Sequence, residues 1–568
     1  MAHLHKKKKN GREYYYIREI ARVDGKPKVV NQVYLGTLDK LLKLATDKNV
    51  PVIEKIQSRE FGSVWLANLI DKRIGLAKII DDVVDDKSSG PSVGEYFLYA
   101  VINRMVEATS KRALPDWFAN TAIQEIRPVN LNDLDSDGYW KKWNKVSEEH
   151  LREIATRFFT KLAQLRPAES DCFLFDTTNY FTFMASKTES SLAKRGKNKD
   201  GRDWLRQIGL ALLVNRHNKL PFFYREYEGN KHDSKLFNSV VEEMASSMRE
   251  IGHKNMTIIF DKGMNSQENI SLIDGMDDAG FITTYSSFFA EKLIHIDSSK
   301  FSPVDSNNNK KLISKGKDDD LLTAYRTTGE FWGKTRTVIV TYNPLTATKQ
   351  RYVFEGKLAK LQTAIFELHS KVRDGENGWN KESKVRAAYS KLCGELFLPD
   401  DLYNLEFDTS DNKLSMKFHK NHHNIKHHID RFGKNIIITD RDDWDTNEIV
   451  KASLDRYLVE QSFRQSKDDE LIGMFPIRHW TDPMIRCHFL TCIIALAYLR
   501  LIELEFEDKG ISMTSAKVMK QMRNLSSCLI WNKKSLDTQR LIEDPNEDQK
   551  NILKILGFKV VKGVLQTI

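Results

Sequence analysis

CFLFDTTNYF (Cys172 to Phe181) decides the fold: a four-residue apolar run closes on an acid, Asp176, and a polar stretch follows. The run is too short for a helix and reads as a buried strand. Outward from it, QIGLALLVN (Gln207 to Asn215) and PFFYREY (Pro221 to Tyr227) read as two more strands, with Asn218 near the turn between them. HDSKLFNSVVEEMASSMREIG (His232 to Gly252) has apolar residues three and four apart, the spacing of an amphipathic helix. MTIIFD (Met256 to Asp261) is a strand that again closes on an acid, a helix follows from about Ser266, and FITTY (Phe281 to Tyr285) is a further strand.

Three strands, helix, strand, helix, strand is the order of an RNase H-like core, a mixed sheet with helices on its faces. In that arrangement the first and fourth strands are sheet neighbours, so the ends carrying Asp176 and Asp261 converge. A lone Asp at a strand end is usually a turn or cap residue. Two of them at neighbouring strand ends need a cation between them.

Around this core the sequence divides into six parts. Residues 1–50 read as a basic arm, Lys6 to Lys9, and a β-hairpin module turning at Asp24-Gly25, with Tyr14, Tyr16, Arg18 and Ile20 on one face. The four lysines fit a solvated tail as well as a phosphate-tracking arm. Residues 51–168 read as an all-α region, either a helical support or a DNA-binding domain. Residues 169–286 and 441–510 are the two parts of the core, 287–440 an insertion rich in β-structure with helices, and 511–568 a helical C-terminal region. The predicted class is therefore α/β: an RNase H-like mixed-sheet core interrupted by a mostly β insertion, preceded by the hairpin module and the all-α domain.

A third acid is expected from a late helix. In DRYLVEQSFRQSK (Asp455 to Lys467), Arg456, Glu460, Phe463, Arg464 and Lys467 step by three or four and share one broad helical face. By itself this is also what a solvent-facing ion-pair ladder looks like.

The spacing Arg456, Glu460, Lys467 resembles the R-E-K part of the Y-R-E-K signature of bacterial DDE transposases in the insertion-sequence-four superfamily. FDTTNYF around Asp176, GLALLVNRHNKLPFFYREYEGNKHD, IIFDKGMNSQENI around Asp261 and IRHWTDPMIRCHFLTCIIALAYL resemble that group's blocks, as do YYYIREIARVDGKPKVVNQVYLGTLDKL and SVGEYFLYAVINRMVEATSKRALPDW. The likeness runs from about Tyr14 to Leu501 and is weakest in the insertion. One position departs from it: the signature's Tyr falls on Ser453, and Tyr457, one turn on, is the nearest aromatic substitute.

The resemblance implies an enzyme that binds double-stranded DNA at transposon terminal inverted repeats, cuts phosphodiester bonds there and joins the freed 3′-OH to target DNA, working as a homodimer in a synaptic complex. It implies that Asp176, Asp261 and Glu460 are catalytic and hold two Mg²⁺ ions, with Mn²⁺ able to substitute. Arg456, Lys467, Arg464 and Tyr457 would contact the DNA. In such relatives a Trp of the insertion stacks on a displaced base, and Trp332 and Trp379 are both candidates here. Two other readings stay open: an inactive terminal-repeat-binding protein of the same descent, and an RNase H-like structure-selective nuclease.

Composition agrees without deciding. The 568 residues carry 88 Lys+Arg against 78 Asp+Glu, a net +10, and 40% hydrophobic residues, enough for real cores, which excludes a disordered chain. Lys187 to Lys235 holds 12 basic and 6 acidic residues, a candidate DNA track or a solvated loop. Five scattered cysteines and an opening MAHLHKKKKNG without an apolar run point to a reducing, cytoplasmic protein with no membrane partner, which the resemblance implies is nucleoid-associated. FLTCIIALAYL (Phe489 to Leu499) is too short to span a bilayer and reads as a buried helix, with Cys487, Cys492 and His488 as core residues. The histidines at 419, 422, 423, 427 and 428 lack cysteines or paired acids at ligand spacing and read as a polar, partly solvated segment.

Overall fold

The computed structural model describes residues 2–9, 12–23, 26–46, 53–184, 188–196, 201–409, 414–532 and 538–568. The turn expected at Asp24-Gly25 lies outside these residues, as do Lys187, Lys197 and Lys199 of the basic stretch.

Five strands form the centre of a ten-stranded sheet: β1 (Cys172–Thr182), β2 (Arg206–Asn215), β3 (Pro221–Glu228), β4 (Met256–Phe260) and β5 (Ala279–Tyr285). Their order across the sheet is β3-β2-β1-β4-β5. The pairs β1–β2 and β2–β3 are antiparallel, and β1–β4 and β4–β5 are parallel. That is the RNase H-like arrangement expected from the order of elements. Strand β4 is buried at all five positions, since helices cover both faces and every residue of MTIIF meets protein.

Helix α1 (Asp233–Ile251) lays Leu236, Phe237, Val240, Val241, Met244 and Met248 on the sheet and stops at Gly252, whose φ of 103° closes the helix in the left-handed region. Phe237 stacks at 4.7 Å on Phe260 and 5.1 Å on Phe175, the residue before Asp176. Truncating a fully buried Phe of this kind costs about 3–5 kcal/mol, so the floor under both aspartates is stiff. Helix α2 (Gln267–Asp274) starts on Ser266, whose hydroxyl accepts the Asn269 N–H.

Beyond β5 the structure departs from the expected insertion at 287–440. The strands β6 (Thr323–Phe331), β7 (Lys334–Tyr342) and β8 (Lys434–Thr439) extend the main sheet in the order β5-β8-β7-β6, all antiparallel. Only the part between β7 and β8 has a separate core. Its helices Pro344–Arg373 and Glu382–Leu396 and its hairpin of Tyr403–Asp408 with Ser415–Lys420 pack around Leu361, Ile365, Val385 and Leu402. Sequence patterning separates strands from helices but does not tell which sheet a strand joins, and the part with its own core is narrower than the expected 287–440.

The helical layer does not stand apart as a domain. Helix α5 (Asp482–Glu507) packs against the helices Val93–Val106 and Glu148–Leu165 and against β3, within one continuous core that runs from Phe61 to Leu553. It is long and apolar enough to cross a bilayer, but 94% of its apolar window is buried in protein. The five cysteines are free.

Three stretches differ from their sequence reading. Ile53–Glu60, assigned to the all-α region, is a strand paired with Ser526–Asn532. The expected helical C-terminal region therefore holds that strand, Thr538–Ile542 beside it and a terminal hairpin, as well as the helices Ser515–Arg523 and Glu547–Ile555. The backbone at Phe61 and Gly62 donates to Leu525 O at 3.0 and 2.9 Å, and a Cβ on Gly62 would lie 2.3 Å from Met522 O, so only glycine fits this approach. At the other end Lys6 to Lys9 is no free arm. It belongs to the strand Ala2–Lys9, the edge of a three-stranded sheet with Arg12–Val23 and Lys26–Thr37, where Lys6 pairs with Glu13.

Candidate active site

The register between β1 and β4 brings two carboxylates together. Cys172, Phe173 and Leu174 lie opposite Thr257, Ile258 and Ile259, and the same offset carried two residues on sets Asp176 opposite Asp261. Neighbouring strands run about 4.8 Å apart, and residues at one register share a face. Asp176 Oδ1 accepts the N–H of Thr177 at 2.8 Å. Asp261 Oδ1 accepts the Lys262 N–H at 2.7 Å and the Thr284 hydroxyl of β5 at 3.2 Å. Each acid is thus oriented by donors from its own strand end or the next strand.

The third expected acid sits on a helix that the structure breaks. Helix α3 (Thr446–Leu454) ends, Asp455 and Arg456 form a turn, and helix α4 (Tyr457–Ser466) begins. Arg216 sits against the break: its guanidinium holds Asp455 at 2.8 Å and also Glu448 of α3. The single charged face read across this stretch is therefore divided. Phe463 is buried, Arg456 caps the start of α4 and Lys467 caps its end.

This turn aims Arg456 at the acids. Its Nη1 lies 3.1 Å from Asp261 Oδ2, so the carboxylate oxygen facing the cleft is held by a cation. Lys467 Nζ donates to Thr178 Oγ1 of β1 at 2.9 Å and stands 5.1 Å over the ring of Tyr180. Glu460, on the first turn of α4, is exposed, one turn on from Arg456. It is not among the residues lining the cleft.

The cleft, about 700 Å³, is lined by Asp176, Asp261 and Lys467 and also by Asn179, His232 and Asp233. Sequence reasoning missed Asp233 as a site residue. At the first position of α1, its Oδ1 accepts the Thr177 hydroxyl at 3.0 Å, beside Asp176. The signal was present in the acid that opens the helix after the third strand, but it reads equally as a helix-start residue.

The remaining expected contacts are spread more widely. Tyr457 is 50% exposed at the start of α4, and Arg464 is exposed near its end. Ser453 lies on α3, before the break. Trp332 occupies the β6–β7 turn at φ 51° and packs at 5.9 Å on Phe281 and 5.8 Å on Tyr285. Trp379 sits in the insertion between Lys371 and Lys384. Of the histidine-rich segment, His427 Nε2 lies 2.6 Å from Glu291 and near His295, an arrangement that serves a surface ion pair as readily as a metal.

Asp176, Asp233 and Asp261 line one cleft, and carboxylate oxygens are the ligands hard divalent cations take, but among the described residues the three do not bring their oxygens within 4.8 Å of one another, as a shared ion would require. The Arg456 guanidinium now holds one of the oxygens such an ion would use.

No family profile and no curated protein matches this chain. Among solved structures it is similar to a piggyBac transposase synaptic complex with hairpin DNA, at 10% identity over 81% of this chain and 78% of that one, TM-score 0.36. It is also similar to a Mos1 transposase paired-end complex with the left transposon end, at 9% identity over 37% of this chain and 64% of that one, TM-score 0.15.

Proposed function

We propose that this chain is a DNA transposase that cuts phosphodiester bonds at terminal inverted repeats and joins the freed 3′-OH to target DNA. The observation that carries the reading is Asp176 on β1 and Asp261 just past the end of the adjacent parallel strand β4, both lining one cleft of an RNase H-like sheet. The sequence blocks that resemble insertion-sequence-four transposases surround these two residues and α4.

Asp176, Asp261 and Glu460 would hold two divalent ions, Mg²⁺ or Mn²⁺. When bound, such a pair activates the attacking oxygen and stabilises the leaving one. Arg456 has a bidentate fork for a phosphate next to the cleaved bond, released from Asp261 as DNA enters. Lys467, anchored on Thr178, places a point charge on the other side of the cleft. Glu460 is exposed and outside the cleft lining, so this reading requires its carboxylate to move toward the two aspartates when DNA and metal are bound. Two copies on paired ends, in the cytoplasm beside the nucleoid, complete the proposal.

One observation favours a second reading, a terminal-repeat-binding protein that no longer cuts. Ser453 replaces the signature's Tyr, and Glu460 stands outside the cleft lining. A single experiment separates the two: incubation of the full chain with the DNA flanking its own gene and Mg²⁺, resolved on a denaturing gel. The transposase reading expects nicks at the repeat ends that Asp176→Asn, Asp261→Asn and Glu460→Gln each abolish. Binding without nicks in any divalent metal sinks it, and cutting of branched DNA with no preference for the repeats points to a structure-selective nuclease.

A further inference from the structure

Among the described residues, one set of three donors is gathered tightly enough to share an ion: Glu291, His295 and His427, whose donor atoms all lie within 4.8 Å of one another. None of them lines the carboxylate cleft or enters the proposed chemistry.

The fold brings them together. Strands β5 and β8 are antiparallel, with Tyr285 opposite Ile436. The chain leaving β5 forms the short helix Glu291–Ile294, and the chain entering β8 forms the helix His422–Ile429, so both arrive at one end of this strand pair. Glu291 and His295 stand one helical turn apart on the first segment. The second packs Ile425 and Ile429 on the insertion's own core and stacks His428 on Phe354 at 4.7 Å, while the ring of His427 lies 5.2 Å from that of His295. Further contacts hold the frame: Arg431 lies 4.9 Å over Phe288 and donates to His427 O at 3.0 Å, and Lys434 of β8 donates to Ile294 O. The acid of the set comes from the far end of the insertion, so no spacing within the histidine run discloses it.

The surroundings separate a metal site from an ion pair. An ion pair needs only His427 and Glu291, which meet at 2.6 Å. It gives no reason for the second imidazole of His295, or for Asp430, whose Oδ2 stands 4.0 Å from His295 Nδ1. Two imidazoles and a carboxylate are the donors that borderline divalent ions take, at bond lengths of about 2.0–2.2 Å, and a further carboxylate beside a ring is how metal-bound histidines are oriented. Mg²⁺ prefers oxygen ligands.

We propose that Glu291, His295 and His427 bind Zn²⁺, with a fourth position open to water, and that the ion ties the insertion to the segment leaving β5. That strand carries Thr284, which donates to Asp261, so the tie fixes the insertion over the acid-bearing end of the sheet. The site goes beyond the DNA-processing reading and is tested without DNA.

The full-length chain, stripped of metal by a chelator, is titrated with Zn²⁺ against a chromophoric competitor, and separately with Co²⁺. Co²⁺ absorbs visible light strongly in a four-coordinate site with nitrogen ligands and weakly among six oxygens, which tells this site from the carboxylate cleft. One equivalent of Zn²⁺ binds, excess Mg²⁺ does not displace it, and Co²⁺ gives the strong band. Glu291→Gln, His295→Gln and His427→Gln each weaken Zn²⁺ about tenfold or more, Asp430→Asn weakens it less, and His422→Gln, exposed on the same helix, leaves it unchanged. The three ligands are exposed or half-buried, so the metal-free melting temperature holds in each variant. Zn²⁺ slows amide exchange in Glu291–Ile294 and His422–Ile429, and His427→Gln removes the slowing. Absence of the Co²⁺ band, wild-type affinity in the three ligand variants, or Zn²⁺ binding lost in Asp176→Asn and kept in His427→Gln overturns the site. Binding with unchanged exchange in both helices overturns the tie. Zn²⁺ bound here in a chain that never cuts DNA counts against the transposase reading alone, and cleavage without Zn²⁺ binding counts against this site alone.

Discussion

The two spaces on either side of the Phe181–Phe475 contact are built in opposite ways. The carboxylate cleft takes its acids from β1, β4 and the start of α1, all within one stretch of fewer than 100 residues, and each acid is open to solvent. The second cavity, of about 660 Å³ and lined by Phe475, draws on helices near residues 104 and 140, the loop after α4 and the first turns of α5, and of its charged residues Arg104 and Lys111 are buried while Arg112, Asp469 and Arg478 are exposed. A site that must exchange ions stays wet and local.

Four experiments break or sharpen that contrast. The largest effect is expected in the cleft, where Asp176→Asn or Asp261→Asn lowers metal-dependent DNA cleavage by roughly 10³-fold or more, since removing a carboxylate from a two-ion site forfeits several kcal/mol of charge stabilisation. Cleavage near the wild-type rate in either variant would move the chemistry elsewhere.

Acid should undo the other side. Burial first, then Lys111 and Arg104, push His479 down to about 3 from an ordinary 6.5, and His488 is depressed by the same surroundings. A histidine whose folded pKa lies below its unfolded value binds protons more readily when unfolded. Its stabilisation is complete above about 6.5 and is lost as pH falls toward 3, on the order of 4 kcal/mol for His479. Thermal melts from about pH 7 to about pH 4 should show that fall, and His479→Gln should flatten it. A pH-independent melting temperature would mean the cavity is wet.

Arg456→Met should act in two directions. Freeing Asp261 from its guanidinium tightens Mn²⁺ binding several-fold, read by calorimetry, while loss of a phosphate contact slows cleavage about tenfold or more. Stability should move by no more than about 1 kcal/mol, since the pair is part-exposed. The smallest structural effect belongs to Tyr457→Ala, which should change stability by less than about 0.5 kcal/mol. A few-fold loss of end-DNA affinity in a mobility-shift titration would place its exposed ring against DNA, and no loss would remove it from the contact set.

Which features the sequence discloses follows the same contrast. Asp176 and Asp261 are legible because CFLFD and MTIIFD are short apolar strands that each close on an acid, and the element order between them leaves one common sheet arrangement. Asp233 is half-legible, an acid where any helix accepts one. Lys111 is not legible, because nothing in TSKRALPDW separates a lysine that will be buried from one that will be solvated. The Asp455–Arg456 break is hidden as well, since the three-four spacing continues across it and Arg216, which sits against it, lies on the turn after β2. IEKIQSRE shows no alternation of apolar and polar residues, so its strand character comes from its partner alone.

That partner sets an order on the making of the protein. The strand Ile53–Glu60 pairs along its length with Ser526–Asn532, with one further bridge from Glu60 to Thr121, and Phe61 and Gly62 lean on Leu525. At about 5–20 residues per second a ribosome takes roughly half a minute to a minute and a half to deliver the intervening chain. Through that interval the early helices have one edge unclosed and lack α5, the helix that fills their core. The nascent chain therefore completes its fold only when almost all of it has been made, and a product truncated before Ser526 lacks the closing strand however complete its catalytic sheet.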